Sequence, residues 1–520
     1  MRALAVEIDK EKSEISSWRV FDSASVESGH GLNRLLEYLS HTSDVFYTYN
    51  LSHLGAMIVD ALLRADFQFV EEKALKPHQF NALITTTKDF YNIKICFSRG
   101  HKKGQSISVE IRDAAAKVPG GVEALREAYG APKDPEEIVV YKAIKYQLES
   151  GYKRLTASSD ALDHYKKLVG GNRNYRAIFP LVTPEEDLYF KRSYYGGLCM
   201  IAPGIKGKTI EDKISVYDIN SAYPFQMATQ YIPTGRPKYY KGKYVPSESH
   251  PLYIARINVC CKLKEGHIPT LFEKRNFTHL YITDTGGQLI EKYLTSIDLA
   301  LLFENYNVYD IEYLDGYAFR ASHSLFKQYV EPLYELKSSA KGAARDLSKR
   351  LLNGLYGKLG ARTVYQRYIP QLIEGALKYI PSGVEHIEPQ YTPAAAFITA
   401  YQRRYLSAAI NENHERFLYC DTDSIHMRGE EPPKMLYISN NELGAFKLEE
   451  VAHRARYLAP KFYFLEGEQA KIAAAGIPNE IAEKISFNEF NYITKVNILQ
   501  PARTDAGIVY KNISRPLAHK

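Results

Sequence analysis

The sequence has few of the features that mark secreted, membrane-spanning or zinc-ribbon proteins. Its five cysteines form no Cys-x-x-Cys pair, which argues against a disulfide framework and for a reducing compartment. No apolar run reaches about 18 residues, the length that a membrane-spanning helix needs. The first residues, MRALAVEIDKEK, lack the basic-then-apolar layout of a signal peptide. We therefore expect a cytoplasmic protein without membrane contacts.

The composition is that of a large globular protein. Apolar residues make up 45% of the 520 residues, too many for a disordered scaffold, and the length suits three or four domains or one lobed enzyme. The net charge is only +7, which indicates an anionic partner only where positive charge is clustered. There are 41 tyrosines against one tryptophan, but tyrosines pack cores as well as bases, so this count excludes nothing.

An acidic turn lies in the segment FLYCDTDSIHM. Apolar residues precede and follow Asp421, Thr422 and Asp423, which predicts two strands joined by a tight turn. Two carboxylates this close repel each other unless a cation lies between them, and Mg²⁺ is a natural occupant. An Asx-type turn with solvated aspartates explains the same residues.

A second aspartate follows the predicted strand of ISVYDINSAYPFQM. Asp218 lies at the end of the strand, where a metal ligand could stand, and Tyr223 follows in position to pack beside whatever the metal holds. A loop aspartate beside a core tyrosine remains the alternative.

A basic segment lies between the two acidic ones. Basic residues recur there every four positions, at Lys337, Lys341, Arg345 and Lys349. The spacing predicts one helix with a cationic stripe, continued by Asn353 and offset only by Asp346. Like charges four apart destabilise a helix, so the stripe indicates a phosphate-bearing partner, although a solvated surface helix is possible. Gly354 and Gly357 are expected to interrupt this helix and allow a flat partner to approach the backbone.

Together, two acidic sites flanking a cationic helix predict a two-metal phosphoryl-transfer centre. The stretches DINSAYP (218–224), KRLLNGLYG (349–357) and YCDTDS (419–424) resemble motifs A, B and C of family B DNA polymerases. The chain is most similar to the protein-primed branch, found in phages with terminal-protein-capped genomes. YYGG at 194–197 resembles that branch's YxGG motif, and Lys461 to Tyr463 resembles its KxY motif.

The resemblance implies an α+β multidomain fold: a right hand of palm, fingers and thumb behind an RNase H-like exonuclease-type domain. The expected domains are an exonuclease-like domain (1–165), a first palm segment with motif A (166–228), insert 1 for terminal-protein and DNA contact (229–325), fingers (326–360), insert 2 with a β-hairpin for processivity and strand displacement (361–390), a second palm segment with motif C and KxY (391–475) and thumb (476–520).

The resemblance also implies roles for single residues. The catalytic aspartates would be Asp218, Asp421 and Asp423. Two Mg²⁺ ions, or Mn²⁺, would be held by Asp218, Asp423 and the carbonyl of Ile219, with Asp421 nearby and indirect.

The substrate-binding residues follow in the same way. Those for the incoming dNTP would be Tyr223, which excludes a 2′-hydroxyl, Lys337 and Lys349 at the triphosphate, Asn353, and Tyr356 beside the new base pair. Those for DNA would be Tyr194, Gly196, Gly197, Arg345, Gly357, Lys461 and Tyr463. Gly354 stands where the family has a serine, so one polar contact would be missing there.

The amino-terminal region departs further from the family's four-carboxylate exonuclease. The first motif is reversed as Glu7-Ile8-Asp9, and the second, beginning at Asn50, has Leu54 in place of its acid. The third keeps Tyr141 but has Lys145 where an acid is required. We expect a retained fold with defective proofreading, unless Asp134, Glu136 or Glu137 restores the site.

The sequence thus predicts a monomeric DNA-directed DNA polymerase, processive and strand-displacing. It would act on primer-template DNA and dNTPs with a terminal protein, in a bacterial host's cytoplasm if phage-encoded, and a single-stranded DNA-binding protein is a further candidate partner. The alternatives are a reverse transcriptase, disfavoured by the separated Asp-Thr-Asp, a non-catalytic DNA-binding protein derived from a polymerase, and an active bifunctional polymerase and 3′–5′ exonuclease.

Overall fold

The computed structural model describes residues 1–12, 14–49, 51–72, 74–85, 89–99, 106–275, 278–504 and 507–518. These residues form a mixed α/β structure with several sheets, as expected. None of the helices in these ranges has the length and apolar character needed to cross a membrane.

The amino-terminal region alternates strands and helices. Its elements are β1 (Arg2–Asp9), β2 (Glu14–Phe21), β3 (Val26–Gly29), α1 (Leu32–Ser40), β4 (Val45–Thr48), α2 (Leu51–Arg64), β5 (Gln68–Phe69), β6 (Gln79–Ile84), β7 (Phe90–Arg99), β8 (Ser106–Asp113), α3 (Ala114–Lys117), α4 (Val122–Tyr129) and α5 (Glu136–Glu149). The strands form one sheet in the order β3-β2-β1-β4-β8-β7-β6-β5, in which β4 runs parallel to β1 and β8.

Helix α5 is shorter than the sequence predicts. The segment IVVYKAIKYQLESGYKRL (138–155) predicts a single helix, but that prediction is wrong in its end: α5 stops at Glu149, and Gly151 adopts a left-handed conformation with φ 87°. The segment RGHKKGQS (99–106), whose composition predicts a turn between two strands, lies mostly outside the described residues.

The next elements lead into a seven-stranded sheet and a four-stranded sheet. They are α6 (Ala157–Leu168), α7 (Asn172–Ile178), α8 (Pro184–Arg192), β9 (Cys199–Ile201), β10 (Thr209–Ile219), α9 (Ala222–Thr229), β11 (Tyr231–Lys241), β12 (Leu252–Leu263), β13 (Phe272–Arg275), β14 (Thr278–Tyr281), β15 (Ile290–Thr295), α10 (Ser296–Asn305) and β16 (Tyr306–His323). A sheet in the order β11-β16-β12-β15 occupies the strand-rich stretch after residue 229, as the sequence predicts.

The remaining elements complete the chain. They are α11 (Lys327–Ser339), α12 (Gly342–Leu359), β17 (Val364–Ile373), β18 (Ala376–His386), α13 (Thr392–Glu412), a short 3-10 helix (His414–Arg416), β19 (Phe417–Asp421), β20 (Ser424–Arg428), β21 (Phe446–Ala459), β22 (Phe462–Gly467), β23 (Ala470–Ala474), α14 (Asn479–Ala482), β24 (Lys495–Thr504) and β25 (Gly507–Pro516). The predicted hairpin with its turn at Glu374–Gly375 is confirmed as β17–β18.

The sheet that positions the site has the order β23-β22-β21-β10-β20-β19-β9. Helix α13 packs behind it and is buried along most of its length, because its residues are almost all apolar or small. It contacts α8, α9, α10 and α12, so it links this sheet to helices that lie before, within and after the strand-rich stretch 229–325. The β17–β18 hairpin packs instead on the amino-terminal domain, where Leu377 is buried in that domain's core.

Candidate active site

Strand pairing brings the two acidic segments together. Strand β10 lies between β20 and β21, and Asp218 is directly opposite Ser424 in the pairing with β20. The amide of Ile219 donates to the carbonyl oxygen of Asp423 at 2.8 Å. Two aspartates about 200 residues apart in sequence therefore share one edge of one sheet, as the motifs predict.

The environment of these aspartates disfavours their charged form. Burial, then repulsion by Asp423 and Glu449, raises the pKa of Asp218 to about 7. Burial, then repulsion by Asp421, raises the pKa of Asp423 to about 6. Two partly buried carboxylates that repel each other are a suitable donor set for a divalent cation, which removes this repulsion.

Asp421 is held differently. Its carboxylate accepts two hydrogen bonds from Lys461 Nζ, at 2.6 and 2.8 Å. Burial lowers the pKa of Lys461, but these bonds and the charge of Asp421 outweigh it, so the pKa is raised. Thr422, between the aspartates, has a left-handed φ of 61°. Asp421 thus has a cationic partner of its own, unlike Asp218 and Asp423, whose pKa values are raised.

The glycines of the YYGG segment lie against this turn. A Cβ on Gly197 would come within 2.9 Å of the Thr422 side chain and 3.0 Å of its Cα, closer than side chains tolerate. The amide of Thr422 donates to the carbonyl of Leu198 at 2.7 Å. Gly197 is therefore required for packing beneath the acidic turn, which gives a structural reason for its place in the motif.

A buried arginine fixes the same segment. Arg403 on α13 is 1% exposed and donates from Nη1 to the carbonyls of Tyr195 and Gly196, both at 2.8 Å. Its other nitrogens bind Asp298 at 2.7 to 3.0 Å. Tyr194, the first residue of the motif, packs on Gly360 at the end of α12. The segment is thus anchored to both α13 and α12.

The prediction of one continuous helix with a cationic stripe is wrong. The helix breaks at Ala340 and Lys341, where Gly342 has a φ of 57°, and α11 and α12 pack against each other as a hairpin. The Tyr329 hydroxyl donates to the Leu351 carbonyl at 2.8 Å, which fixes the antiparallel arrangement. The hairpin still gathers positive charge, but across two helices rather than along one.

Lys337 is the basic residue nearest the aspartates. Its Nζ donates to the hydroxyl of Ser221 at 2.8 Å, just beyond Asp218. Burial, then repulsion by Lys349 and Arg345, lowers its pKa, while Asp218 acts in the opposite sense. Lys337, Lys349 and Arg345 therefore share one electrostatic environment beside Asp218, whereas Lys341 lies exposed at the helix break.

Asp346 does not offset this charge. It accepts from Arg350 Nε at 2.6 Å and from the Tyr129 hydroxyl at 2.7 Å, so it faces the amino-terminal domain. The expected interruption of the helix at Gly354 and Gly357 is also wrong, because α12 runs through both.

Gly354 has a packing role. Its Cβ would lie 3.1 Å from Ala161 Cβ and 3.2 Å from Ser158 Cα, so it allows α12 to approach α6 closely. Gly357 is exposed and open, with nothing within 4 Å of the position of a Cβ, while Asn353 lies exposed one turn earlier.

Two tyrosines pack together at the base of the site. The rings of Tyr223, on α9, and Tyr356, on α12, are 4.3 Å apart between centroids. Burial, then the neighbouring Tyr356, raises the pKa of Tyr223, so its hydroxyl stays protonated. The pair links the strand end that carries Asp218 to the helix hairpin.

Tyr463 belongs to an aromatic cluster behind the acidic turn. Its ring contacts Tyr419, His426 and Tyr457. Burial lowers the pKa of His426 to about 3, so this member of the cluster is neutral. Lys461 has a left-handed φ of 64°, and its amide donates to the Tyr419 hydroxyl at 2.9 Å. The cluster positions the lysine beside Asp421.

The described residues of the first two exonuclease-like motifs do not form a cluster of acidic side chains that could hold a metal ion. Glu7 is exposed and accepts from a serine hydroxyl at 2.7 Å, and Asp9 accepts two amides of the turn that follows it. Leu54 is 3% exposed in the apolar core beneath the sheet. Asn50 lies outside the described residues.

The third motif carries a cation where an acid was sought. Tyr141 packs its ring on Phe21, and Lys145 lies 3.9 Å from Glu149 one turn along α5. Lys145 Nζ also lies over the Tyr141 ring, 6.0 Å from its centroid. Tyr141 therefore contacts Phe21 on β2, and Lys145 contacts residues of α5 itself.

Two of the three candidates for restoring the exonuclease have basic partners. Asp134 accepts from Lys142 Nζ at 2.7 Å, and Glu137, 2% exposed, lies 3.1 Å from Arg19. Glu136 differs, since burial and then Glu137 raise its pKa. In the described portion of the chain no group of three or more histidine, cysteine or acidic residues is arranged to hold a metal ion.

Sequence reasoning missed three residues around the palm site. Lys447 on β21 pairs with Asp218, Glu449 raises the pKa of both aspartates, and Arg403 holds the YYGG segment. Strand β21 has no motif, and its pairing with β10 spans more than 200 residues, so no local signal could reveal the first two. Arg403 had a weak one: it lies three residues after Ala400 and three before Leu406, on the buried face of α13, whereas its neighbour Arg404 is exposed.

Known DNA polymerases are similar to this chain in sequence. A family model described as DNA polymerase type B, organellar and viral, matches residues 138–441. The DNA polymerase of Bacillus phage B103 is 30% identical over 532 aligned positions, covering 92% of each chain. The DNA polymerase of Bacillus phage phi29 is 29% identical and covers 94% of this chain and 93% of its own.

Solved structures agree over the whole length. Phi29 DNA polymerase complexed with primer-template DNA superimposes with a TM-score of 0.91 at 27% identity, covering all of both chains. Its ternary complex with primer-template DNA and incoming nucleotide gives a TM-score of 0.87 at 28% identity. The right-hand arrangement of palm, fingers and thumb known for that fold therefore applies to this chain.

Proposed function

We propose that this chain, a DNA-directed DNA polymerase of the organellar and viral type B family, extends a primer at the strand ends that carry Asp218 and Asp423. The observation that carries the proposal is the juxtaposition of two mutually repelling, partly buried carboxylates with Lys337. The primer 3′-hydroxyl attacks the α-phosphorus of a dNTP, and the bond to pyrophosphate breaks.

Divalent cations fit the acidic edge. Asp218, Asp423 and the Ile219 carbonyl would hold Mg²⁺, or Mn²⁺, and the raised pKa values of both carboxylates support this donor set. When bound, such ions supply Lewis-acid activation of the 3′-hydroxyl and neutralise charge on the departing pyrophosphate. Asp421 acts indirectly, since it is paired with Lys461.

The helix hairpin would bind the incoming nucleotide. Lys337 and Lys349 offset the charge of the triphosphate and of the pyrophosphate that leaves, and the mutual repulsion of these cations supports a bound anion. Tyr223 would select against a 2′-hydroxyl, with Tyr356 stacked behind it. Asn353 and Arg345, both exposed on α12, would contact the nascent pair.

DNA would lie along the YYGG segment and the Lys461–Tyr463 segment. Gly197 lies against the acidic turn at Thr422, Tyr194 packs at the end of α12, and Gly196 and Gly357 leave open space for a strand of DNA. Lys461 is 57% exposed, so it can contact a primer phosphate without leaving Asp421. We also propose that the protein acts as a monomer. Its proposed domains are the exonuclease-like domain (1–165), two palm segments (166–228 and 391–475), insert 1 (229–325), fingers (326–360), insert 2 (361–390) and thumb (476–520).

We further infer that 3′–5′ proofreading is weak or absent. The buried Leu54 and the engaged Lys145 support this, because neither can replace a carboxylate ligand. Glu136 supports the alternative of an active bifunctional enzyme, since burial and then the neighbouring Glu137 raise its pKa, as a cation-binding carboxylate pair would require. A primer with a mismatched 3′ end, incubated with Mg²⁺ without dNTPs, decides between them; rapid trimming would establish the bifunctional alternative.

Priming by a terminal protein and strand displacement are included in the proposal. The similarity to phage polymerases over nearly the whole chain supports them. Incubating the enzyme with a labelled dNTP and the products of neighbouring genes tests the priming. A nucleotide attached covalently to a protein is the expected result, and its absence under conditions that extend a DNA primer would overturn protein priming.

Primer extension tests the catalytic assignment. Asp423→Ala should reduce extension by at least about a thousand-fold, since losing a ligand to reacting groups removes electrostatic stabilisation of the transition state. Asp212→Ala is the matched control, because Asp212 is an exposed aspartate on the same β10 strand, 3.4 Å from Arg428. Equal extension by Asp423→Ala and the wild type would discard the site. A wild type that extends no primer would leave the non-catalytic DNA-binding protein as the alternative.

A further inference from the structure

We propose that Lys447 is a further triphosphate-binding residue, which contacts phosphate oxygens of the incoming dNTP beside Lys337. The inference rests on the proposed function and deepens it. Lys447 is the second residue of β21, and no motif marks it.

Strand register places Lys447 at the site. In the sheet, Asp218 on β10 is the partner of Ser424 on one side and of Lys447 on the other. Directly opposite residues of neighbouring antiparallel strands project from the same face of a sheet. Lys447 therefore lies on the face that carries Asp218, on the side away from the Asp421–Asp423 turn.

The neighbouring charges indicate that the Lys447 side chain extends towards Lys337. Lys447 is among the cations whose repulsion lowers the pKa of Lys337, which donates to Ser221 just beyond Asp218. No carboxylate of the described residues forms an ion pair with it, whereas Glu449, two positions on, lies 3.8 Å from Lys471. Lys447 is a partly buried residue that repels Lys337 and has no carboxylate partner among the described residues, so a bound anion would compensate its charge.

The number of positive side chains at this site matches the several negative charges of a polyphosphate better than the single charge of a phosphodiester. Arg345, Lys349 and Lys447 all repel the ammonium group of Lys337, while Asp346 is engaged with Arg350. A single phosphodiester would leave much of this charge uncompensated, but a triphosphate carries several negative charges in a compact chain. Lys447 approaches from the sheet and the others approach from the helices, so together they enclose the anion from two sides.

Single-nucleotide insertion on a primer-template tests the inference. Lys447→Met should raise the KM for dNTP by about ten-fold, the loss expected for one charge-assisted hydrogen bond. The kcat should stay within about two-fold, because Lys447 does not touch the reacting atoms. Lys447→Arg should restore most of the affinity, and inorganic tripolyphosphate should inhibit Lys447→Met about ten-fold more weakly than the wild type.

Lys213→Met is the matched control, since it removes the same charge from β10 at a surface position where Lys213 pairs with Glu430. Its KM should equal that of the wild type. A wild-type KM and wild-type tripolyphosphate inhibition in Lys447→Met would overturn this inference alone. A wild type that extends no primer would overturn the proposed function, and this inference with it.

Discussion

Asp218→Asn should stabilise the protein while abolishing synthesis. In the absence of divalent cations the Asp218 carboxylate is partly buried and faces Asp423 and Glu449, so its ionisation costs folding free energy. Asparagine keeps the shape of the side chain and removes the charge. The site would then be an example of stability lost for function, as expected where charges are gathered to hold a ligand.

The magnitude follows from the pKa. A value of about 7 against an ordinary 3.8, at about 1.4 kcal/mol per unit, sets a ceiling of roughly 4 kcal/mol. Because Asp218 is only partly buried, solvent screening reduces this, and we expect a gain of about 2 kcal/mol. The penalty is absent below the unfolded-state pKa near 4, grows as pH rises, and is complete above about pH 7.

Urea denaturation followed by far-ultraviolet circular dichroism, with a chelator present, measures the effect. Asp218→Asn should exceed the wild type in free energy of unfolding near pH 8, and the two should converge near pH 4. Adding Mg²⁺ should stabilise the wild type more than the variant. An equal or less stable Asp218→Asn protein near pH 8 would refute the reasoning.

Asp163→Asn provides a control of opposite sign. Burial would raise the pKa of Asp163, but Arg154 and Lys167 outweigh it and lower the pKa. Its charge therefore stabilises the fold above the unfolded-state pKa, and Asp163→Asn should destabilise the protein near neutral pH. The difference should disappear as pH falls through the lowered pKa.

Three further substitutions probe the supports of the site. Arg403→Met should destabilise the protein by about 3–5 kcal/mol in thermal or urea unfolding, because it leaves Asp298 buried without its partner; the double variant with Asp298→Leu should recover some of this. Gly197→Ala should reduce primer extension with little change in melting temperature, since its methyl group displaces Thr422 and the acidic turn. Gly354→Val should lower the melting temperature by separating α12 from α6, and an unchanged value would contradict the packing role.

The acidic hairpin could be predicted because its information is local. Apolar runs on both sides of Asp421–Asp423 determine β19 and β20, and the short turn determines their antiparallel pairing. The β17–β18 hairpin was predictable in the same way, since Glu374 and Gly375 adopt the positive φ values, 53° and 76°, that a two-residue turn requires. Short-range periodicity and turn chemistry suffice for such elements.

The helix hairpin could not be predicted from its charge pattern. Basic residues every four positions favour one helix, yet the small and polar stretch Ser338–Gly342 contains the break. The break is favoured by what the hairpin buries, namely Leu333 on α11 and Leu347 and Leu351 on α12. Tertiary burial of these side chains outweighs the local preference to continue the helix.

The contribution of β21 to the site could not be predicted from the sequence for a different reason. Its role depends on pairing with β10 across more than 200 residues, and register between distant strands is set by the whole sheet. Irregularities in that pairing, between Glu211 and Ile214 and between Val216 and Tyr217, change which residues face the site. The pattern of apolar and polar residues does not reveal such shifts in strand register, so it could not predict that Lys447 lies opposite Asp218.

The retention of the amino-terminal domain can be understood from what it holds. Asp346 and Arg350 on α12 bind one another, and they bind Tyr129 and the carbonyl of Pro119 in that domain. Lys349 lies on the adjacent side of α12 and repels Lys337. The amino-terminal domain therefore sets the position of a helix that carries part of the proposed nucleotide site. None of these contacts involves Leu54 or Lys145, the two positions at which we propose that exonuclease ligands are missing. Selection for synthesis alone would therefore keep the fold of this domain whether or not the domain retains exonuclease chemistry.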